Sequence, residues 1–125
     1  MISRVAHLAV LAACILACGG PTEVSGSGRV EAYAEPSALA VRNNRWATIY
    51  VFVVDAGEAA RINWAACTDP TRCDGILPHE LERVPSTRIF GWEKSGPLIL
   101  YWWHLVAAAG GGFRADSIRA VGVLR

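Results

Sequence analysis

The stretch WATIYVFVVD, residues 46–55, decides the fold class of this chain. It combines β-branched with aromatic residues and contains no glycine or proline, which is the composition of a β-strand. A second run of this kind, PLILYWWHLV, occupies residues 97–106. We expect both strands to lie well inside their sheets, because long apolar strands at a sheet edge invite aggregation.

Shorter strand patterns surround these two runs and are separated by turn signals such as Asn43-Asn44 and Ala56-Gly57. We predict the shorter strands at 38–42, 60–66, 81–84, 88–92 and 118–124. Residues 81–84 also fit one helical turn after Pro78, and residues 107–112 form a flexible hairpin loop. Short strands without helical periods predict an all-β fold, an antiparallel β-sandwich of about seven short strands, with a barrel as the alternative.

Both long strands have two apolar faces, although a sandwich strand usually buries one face and exposes the other. We predict these core-facing residues: Ile49, Val51 and Val53 in the first strand, and Ile99, Tyr101, Trp103 and Leu105 in the second. The opposite faces then give a candidate binding surface for a protein or glycan partner: Trp46, Tyr50, Phe52, Trp102 and His104. Two alternatives stay open, that the faces are exchanged in one strand or that residues 31–36 cover the patch.

Cys67 and Cys73 flank a polar turn and are predicted to form a disulfide, as expected for an exported chain. The alternative is a metal site, since His79 follows Cys73 by six residues and Glu80 is adjacent. Structural zinc sites usually contain ligand pairs two to four residues apart, and that spacing is absent. A calcium site at Asp69, Asp74 and Glu80 lacks the loop spacing of known calcium sites.

No catalytic motif is complete in this chain. His79-Glu80-Leu81-Glu82-Arg83 begins like the zinc-protease helix motif, but Arg83 stands where the second histidine ligand belongs. No serine lies in a nucleophile-elbow pattern. We therefore expect no enzymatic activity, no cofactor and no bound metal.

The first 17 residues have the three-part layout of a secretory signal. Arg4 and the amino terminus form a positive region, residues 5–17 are apolar except for His7, and small residues precede Cys18. A run of 13 residues is too short for a transmembrane helix, which needs about 20. The sequence predicts a cleaved signal helix over residues 1–17 and a Gly/Ser/Pro-rich flexible tether over residues 18–28.

Ile15-Leu16-Ala17-Cys18 resembles the lipobox of bacterial lipoproteins, as does Leu11-Ala12-Ala13-Cys14. The resemblance implies that the cysteine thiol receives a diacylglyceryl group and that the signal is cut just before it. We favour Cys18, because cutting there removes Cys14 and leaves Cys67 and Cys73 as an even pair. Gly19 stands where inner-membrane lipoproteins of many double-membraned bacteria carry Asp, which implies the periplasmic side of the outer membrane if two membranes exist.

The remaining chain, over roughly residues 37–125, resembles small uncharacterised lipoprotein β-sandwich domains. The resemblance is carried by Trp64 three residues before Cys67, by Tyr101-Trp102-Trp103-His104 and by Asp116-Ser117-Ile118-Arg119. It implies no activity.

The balance of positive and negative side chains limits the classes of partner that we expect for this chain. The chain has 12 Lys+Arg and 11 Asp+Glu, and loss of the signal removes only Arg4 from this balance. Such a neutral chain lacks the basic footprint needed for nucleic acid or for an anionic membrane surface. The sequence thus predicts a membrane-anchored envelope lipoprotein with one non-enzymatic structural or interaction domain at residues 29–125. The alternative is a small binding or inhibitor module that holds a protein or glycan partner through exposed aromatics.

Overall fold

Two antiparallel sheets form the part of the chain that the computed structural model describes, residues 29–125. The signal layout, Cys14, Cys18 and the tether lie outside the described residues. The strands, in chain order, are β1 (Val30–Glu35), β2 (Ala38–Asn43), β3 (Ile49–Asp55), β4 (Gly75–Ile76), β5 (Leu81–Pro85), β6 (Leu98–Ala107) and β7 (Phe113–Val123). The described residues contain seven strands in two sheets, which confirms the predicted all-β sandwich.

The three-stranded sheet has the order β1-β2-β5, and the four-stranded sheet has the order β4-β3-β6-β7. The two most apolar strands, β3 and β6, are therefore both internal, as predicted. β6 is paired by β3 on one side and by β7 on the other, whereas β4 pairs only with Ile49 and Tyr50 of β3, and Phe90 bridges Val54 further along. Among residues 29–125, no helix is long and apolar enough to cross a membrane.

The core lies between the inner faces of the two sheets. Leu39 and Val41 of β2 contribute from one sheet and are fully buried. Ile49 and Val53 of β3 face them from the other sheet, as predicted. The other buried members of this cluster are Val30, Ile76, Val84, Ile89, Leu98, Leu100, Trp102 and Val123.

Small residues line the middle of the outer face of the three-stranded sheet. Ala38 and Ala40 occupy that face of the middle strand, where each is less than one-tenth exposed. Arg83 on one edge strand reaches across them, and its Nε donates to Oε1 of Glu35 on the other edge strand at 2.9 Å. Because alanine leaves room above the sheet, two charged side chains can meet there and cover the apolar methyl groups.

Five strand predictions differ from the structure, two of them in the four-stranded sheet, where β4 was not predicted and β7 begins at Phe113 rather than at residue 118. Val30–Glu35 forms β1, which was not predicted, and it pairs with β2 across the short turn at Pro36. Residues 60–66 and 88–92 were predicted as strands and are not. The first begins with a 3₁₀ turn at Ala59–Arg61, and in the second only Phe90 makes a β-bridge, to Val54.

Gly91 explains why residues 88–92 leave the extended conformation. Its φ of 79° lies in the left-handed region, and a Cβ there would approach Cβ of Asp55 and Cγ of Glu58 to 2.8 Å. Only glycine fits this close approach at low cost. The chain therefore turns at Gly91 instead of continuing along β3.

β7 contains a bulge opposite β6. Trp102 pairs with Arg119 whereas His104 pairs with Asp116, so β7 has one extra residue between these pairs. Ser117 lies in this interval with a φ of 45°. Such bulges bend a strand and interrupt its regular pairing.

Candidate functional site

The four-stranded sheet divides the predicted binding surface between its two faces. Residues directly opposite each other on neighbouring strands share a face, and the register pairs Val51 with Trp102 and Val53 with Leu100. Trp102 therefore lies on the core face, where it is only 6% exposed, opposite in direction to Tyr50 and Phe52. The predicted orientation of the second strand was wrong, and the alternative that one strand has its faces exchanged is correct.

The two faces of β6 are exchanged relative to the prediction because of the residues that pack against each face. Leu98 and Leu100 point towards the other sheet and are fully buried there. The residues predicted to point inward, Ile99, Tyr101 and Trp103, alternate with them and so occupy the outer face. Tyr50, on the outer face of β3, is buried as well, because Gly75 of β4 lies against its ring.

A cluster of four aromatic rings covers the outer face of the four-stranded sheet. Trp64 lies at its centre, with ring-centroid distances of 4.5 Å to Phe52, 5.0 Å to Tyr101 and 5.8 Å to Trp103. Trp103 is 2% exposed and Phe52 is half-buried. Aromatic pairs at these distances add to the stability that burial already provides. The outer face is therefore covered by the protein's own chain, through the covering segment, residues 62–74.

The predicted Cys67–Cys73 disulfide is confirmed, with a Cα–Cα distance of 5.8 Å. It lies within the covering segment, and the Nε1–H of Trp103 donates to the backbone carbonyl of Cys67 at 3.1 Å. This bond satisfies the indole donor of a buried tryptophan. The disulfide and the indole bond together hold the covering segment on the outer face.

His104 is held at the end of the sandwich near the start of β3. Its Nε2 accepts a hydrogen bond from Nε of Arg45 at 2.8 Å, so Nδ1 carries the proton and donates to the carbonyl of Thr48 at 2.9 Å. Nδ1–H is therefore the tautomer of the neutral ring. Arg45 and Arg119 each place their guanidinium carbon 5.2 Å from the Trp102 ring centroid. These contacts account for both ring nitrogens of His104.

Trp46 is the one member of the predicted surface that is largely exposed, at 82%. It belongs to the Trp46 loop, residues 44–48, which Asn43 fastens to the domain. The fully buried Asn43 amide donates to the carbonyls of Ala47 and Ile76, both at 2.9 Å, and its Oδ1 accepts from the Arg45 N–H at 2.9 Å. The loop is thus fixed, and Trp46 projects from it.

An open cleft lies beside the aromatic cluster, between Phe52 and the 86–93 segment. Its volume is about 650 Å³. The cleft, called the Phe90 cleft below, has three aromatic residues in its lining, Phe52, Phe90 and Trp92, and its polar rim consists of Ser86, Thr87, Arg88 and Glu93. Phe90 is 56% exposed. Apolar area with a few polar groups around it is typical of ligand and partner sites.

Asp55 and Arg125 fix one wall of the Phe90 cleft. The buried Asp55 donates its backbone N–H to the carbonyl of Phe90 at 2.8 Å. Arg125 donates from Nη2 to the carbonyl of Trp92 at 2.8 Å, and its guanidinium carbon lies 4.4 Å from the Trp92 ring centroid. The same Nη2 is 3.6 Å from Oδ2 of Asp55. The wall is therefore bound to the end of β3 rather than left as a free loop.

Phe90 is not among the predicted site residues, because a strand over residues 88–92 would make it an ordinary half-buried residue. The available signal was Phe90-Gly91-Trp92, two aromatic residues around a glycine between Pro85 and Gly96. Glycine between two aromatic residues is a turn signal, because glycine adopts a positive φ without steric cost.

The metal alternatives find no support in the described part of the chain. Cys67 and Cys73 are joined to each other and are not available as ligands. No group of three or more His, Cys, Asp or Glu side chains in residues 29–125 could hold a metal ion. Hydrogen bonds from the hydroxyl and the backbone N–H of Thr71 lower the pKa of Asp69, which is explained by the turn itself.

Comparison with known proteins gives no family model, no curated protein and no solved structure that matches this chain significantly.

Proposed function

We propose that this chain is a lipid-anchored protein of the bacterial envelope, attached to its membrane through Cys18 and carrying a non-enzymatic structural or interaction domain. The observation that best supports export is the Cys67–Cys73 disulfide. Disulfides persist in oxidising compartments and are rare in the cytosol. Cys67 lies at the surface, where cytosolic thiols would reach it. An exported chain that starts with a signal layout and a lipobox is best explained as a lipoprotein.

The Phe90 cleft favours a second candidate function, a binding module. Phe90 is exposed on a wall that Asp55 and Arg125 hold in place, so its ring is presented at little ordering cost. A rigid aromatic residue beside Arg88 and Glu93 suits an envelope protein or glycan partner. The predicted surface of Trp46, Tyr50, Phe52, Trp102 and His104 is replaced in this proposal, because Trp102 is core and Tyr50 is buried.

Mass spectrometry of the mature amino terminus tests the anchor. We expect a chain that begins at Cys18 and carries acyl mass, and we expect Cys18→Ala to release the protein from the membrane fraction. Cys14→Ala is the matched control, because Cys14 is removed with the signal and its loss should leave the anchor intact. A mature chain that begins at Cys14, or one without acyl mass, contradicts the proposal.

Cross-linking of the full chain in intact cells tests the binding module. Phe90→Ala should lose a cross-linked envelope partner that the wild-type chain retains, with no change in unfolding midpoint, because the ring is half exposed. Leu124→Ala is the control, since Leu124 is 84% exposed but lies outside the Phe90 cleft. Equal cross-linking by wild type and Phe90→Ala would exclude the cleft as the binding site.

A further inference from the structure

The Trp46 loop lies beside the point at which the tether joins the domain. Arg29 is the first described residue, and its carbonyl accepts a hydrogen bond from the Asn44 N–H at 3.0 Å. Trp46 is two residues further along the chain, within about 7 Å of Asn44. The most exposed aromatic residue of the domain is thus adjacent to the tether.

A second exposed apolar residue lies at the same end of the sandwich. Ile76 pairs with Ile49 at the start of β3, and Leu77, the next residue, is 52% exposed. Asn43 connects the two sites, because its amide donates both to Ala47 of the Trp46 loop and to Ile76. Trp46 and Leu77 therefore lie at the same end of the sandwich, next to backbone that the Asn43 amide holds by hydrogen bonds.

The geometry points to a lipid bilayer as the partner of this end: we propose that Trp46, assisted by Leu77, inserts into the interface of the membrane that holds the Cys18 lipid. This inference rests on the proposed anchor. Ten residues, Gly19–Gly28, separate Cys18 from Arg29 and span at most about 35 Å when fully extended. Arg29 is consequently confined near the bilayer surface, and the Trp46 loop is confined with it.

Two further features favour lipid over a protein at this end. Tryptophan has an apolar ring with a polar N–H and is enriched at the membrane–water interface. The Trp46 loop is already fastened by Asn43, so insertion does not have to order it. The chain as a whole is close to neutral, and the vesicles used below contain no anionic lipid, so the test measures the contribution of the aromatic ring alone. The opposite end of the sandwich lies at least one strand length away, about 20 Å for β3.

Fluorescence quenching by lipid tests the proposal on the full mature chain. The protein is reconstituted into phosphatidylcholine vesicles whose acyl chains carry bromine, and its tryptophan emission is compared with that in unbrominated vesicles. We expect quenching in the wild-type chain and loss of most of that quenching in Trp46→Phe. Trp92→Phe is the matched control, because Trp92 lies at the opposite end beside Arg125, and its quenching should equal that of the wild type.

Intact mass measured on the same sample separates the two proposals. Acyl mass on Cys18 with quenching that depends on Trp46 supports both. Acyl mass with no quenching, or with quenching that survives Trp46→Phe, overturns the bilayer contact and leaves the anchor in place. A chain without acyl mass overturns the anchor and, with it, this inference.

Discussion

The outer faces of the two sheets are protected in opposite ways. On the three-stranded sheet the middle strand carries Ala38 and Ala40, and the ion pair between Arg83 and Glu35 lies above them. On the four-stranded sheet the internal strands carry large rings, and the covering segment closes over them with Trp64. One face uses small residues and solvated charges, whereas the other uses aromatic stacking and a disulfide.

This contrast shows how the second apolar face of a strand should be interpreted. A strand with two apolar faces indicates a cover as readily as it indicates a binding surface, because exposed apolar area of this size is rare on a soluble domain. Here Trp64, which precedes Cys67 by three residues, supplies the cover. Substitutions on the two outer faces should therefore change the free energy of unfolding by very different amounts.

The largest expected effect comes from removing a ring of the covered face. Trp103→Ala should lower the free energy of unfolding by about 3–5 kcal/mol, because the side chain is 2% exposed and its deletion leaves a cavity. Urea unfolding measures the loss. Trp103→Phe is the control for the indole bond to Cys67, and it should cost less because most of the ring is kept. A loss below about 1 kcal/mol for Trp103→Ala would show that the cover is not part of the folded structure.

Removal of the disulfide should have an intermediate effect. The pair Cys67→Ser with Cys73→Ser should lower the free energy of unfolding by about 2 kcal/mol, because a short closed loop restricts the unfolded chain only modestly. Urea unfolding of the double variant, compared with the oxidised wild type, measures this loss, and reduced wild type should unfold like the variant. The same variant should expose Trp64 to a soluble quencher. Unchanged quenching would mean that aromatic stacking alone holds the covering segment.

The charged face should tolerate mutation well. Arg83→Ala should cost only about 0.2–1 kcal/mol, because the side chain is 58% exposed and water screens the pair with Glu35. Glu35→Gln is the matched variant that removes the partner charge, and thermal unfolding at low and high salt measures both. A cost above about 2 kcal/mol would place this ion pair outside the range of exposed pairs.

The smallest expected effect is a pH dependence on the same sheet. The hydroxyl of Tyr33 donates to Glu31 at 2.9 Å, and this hydrogen bond, with burial and the Glu31 charge, raises the pKa of Tyr33 above 10.0. The protonated phenol is therefore favoured in the folded state. Its small stabilisation is fully present below pH 10 and is lost as the pH rises through the raised pKa. Alkaline titration of the Tyr33 ring by NMR measures the shift, and Tyr33→Phe should abolish the stability change.

Composition and local pattern predicted the two internal strands of the four-stranded sheet. Residues 46–55 and 97–106 gave β3 and β6, because β-branched and aromatic residues without glycine or proline have few alternatives to an internal strand. The disulfide was predictable for a similar reason, since Cys67 and Cys73 flank one short polar turn and can reach each other. These features depend on residues close together in sequence.

The orientation of β6 could not be predicted, because it depends on register between distant strands. Both faces of 97–106 are apolar, so the choice is made by what packs on each side, Leu39 and its neighbours inside and Trp64 outside. A slip of one residue exchanges the faces. The turn at Phe90-Gly91-Trp92 has a sequence signal, but the wall of the Phe90 cleft could not be predicted, since it depends on contacts of Asp55 with residues more than 30 positions away.

The bulge at Ser117 has a consequence for how copies of this protein behave at high concentration. β7 is an edge strand of 11 residues, and no other strand of the described chain pairs with its outer side. A regular edge of this length would be a template for a strand from another copy. The left-handed Ser117 breaks the hydrogen-bonding row midway, and the charges of Arg114, Asp116 and Arg119 flank the break. The edge is thereby divided into two short pieces, which makes it a poorer template for a strand from another copy.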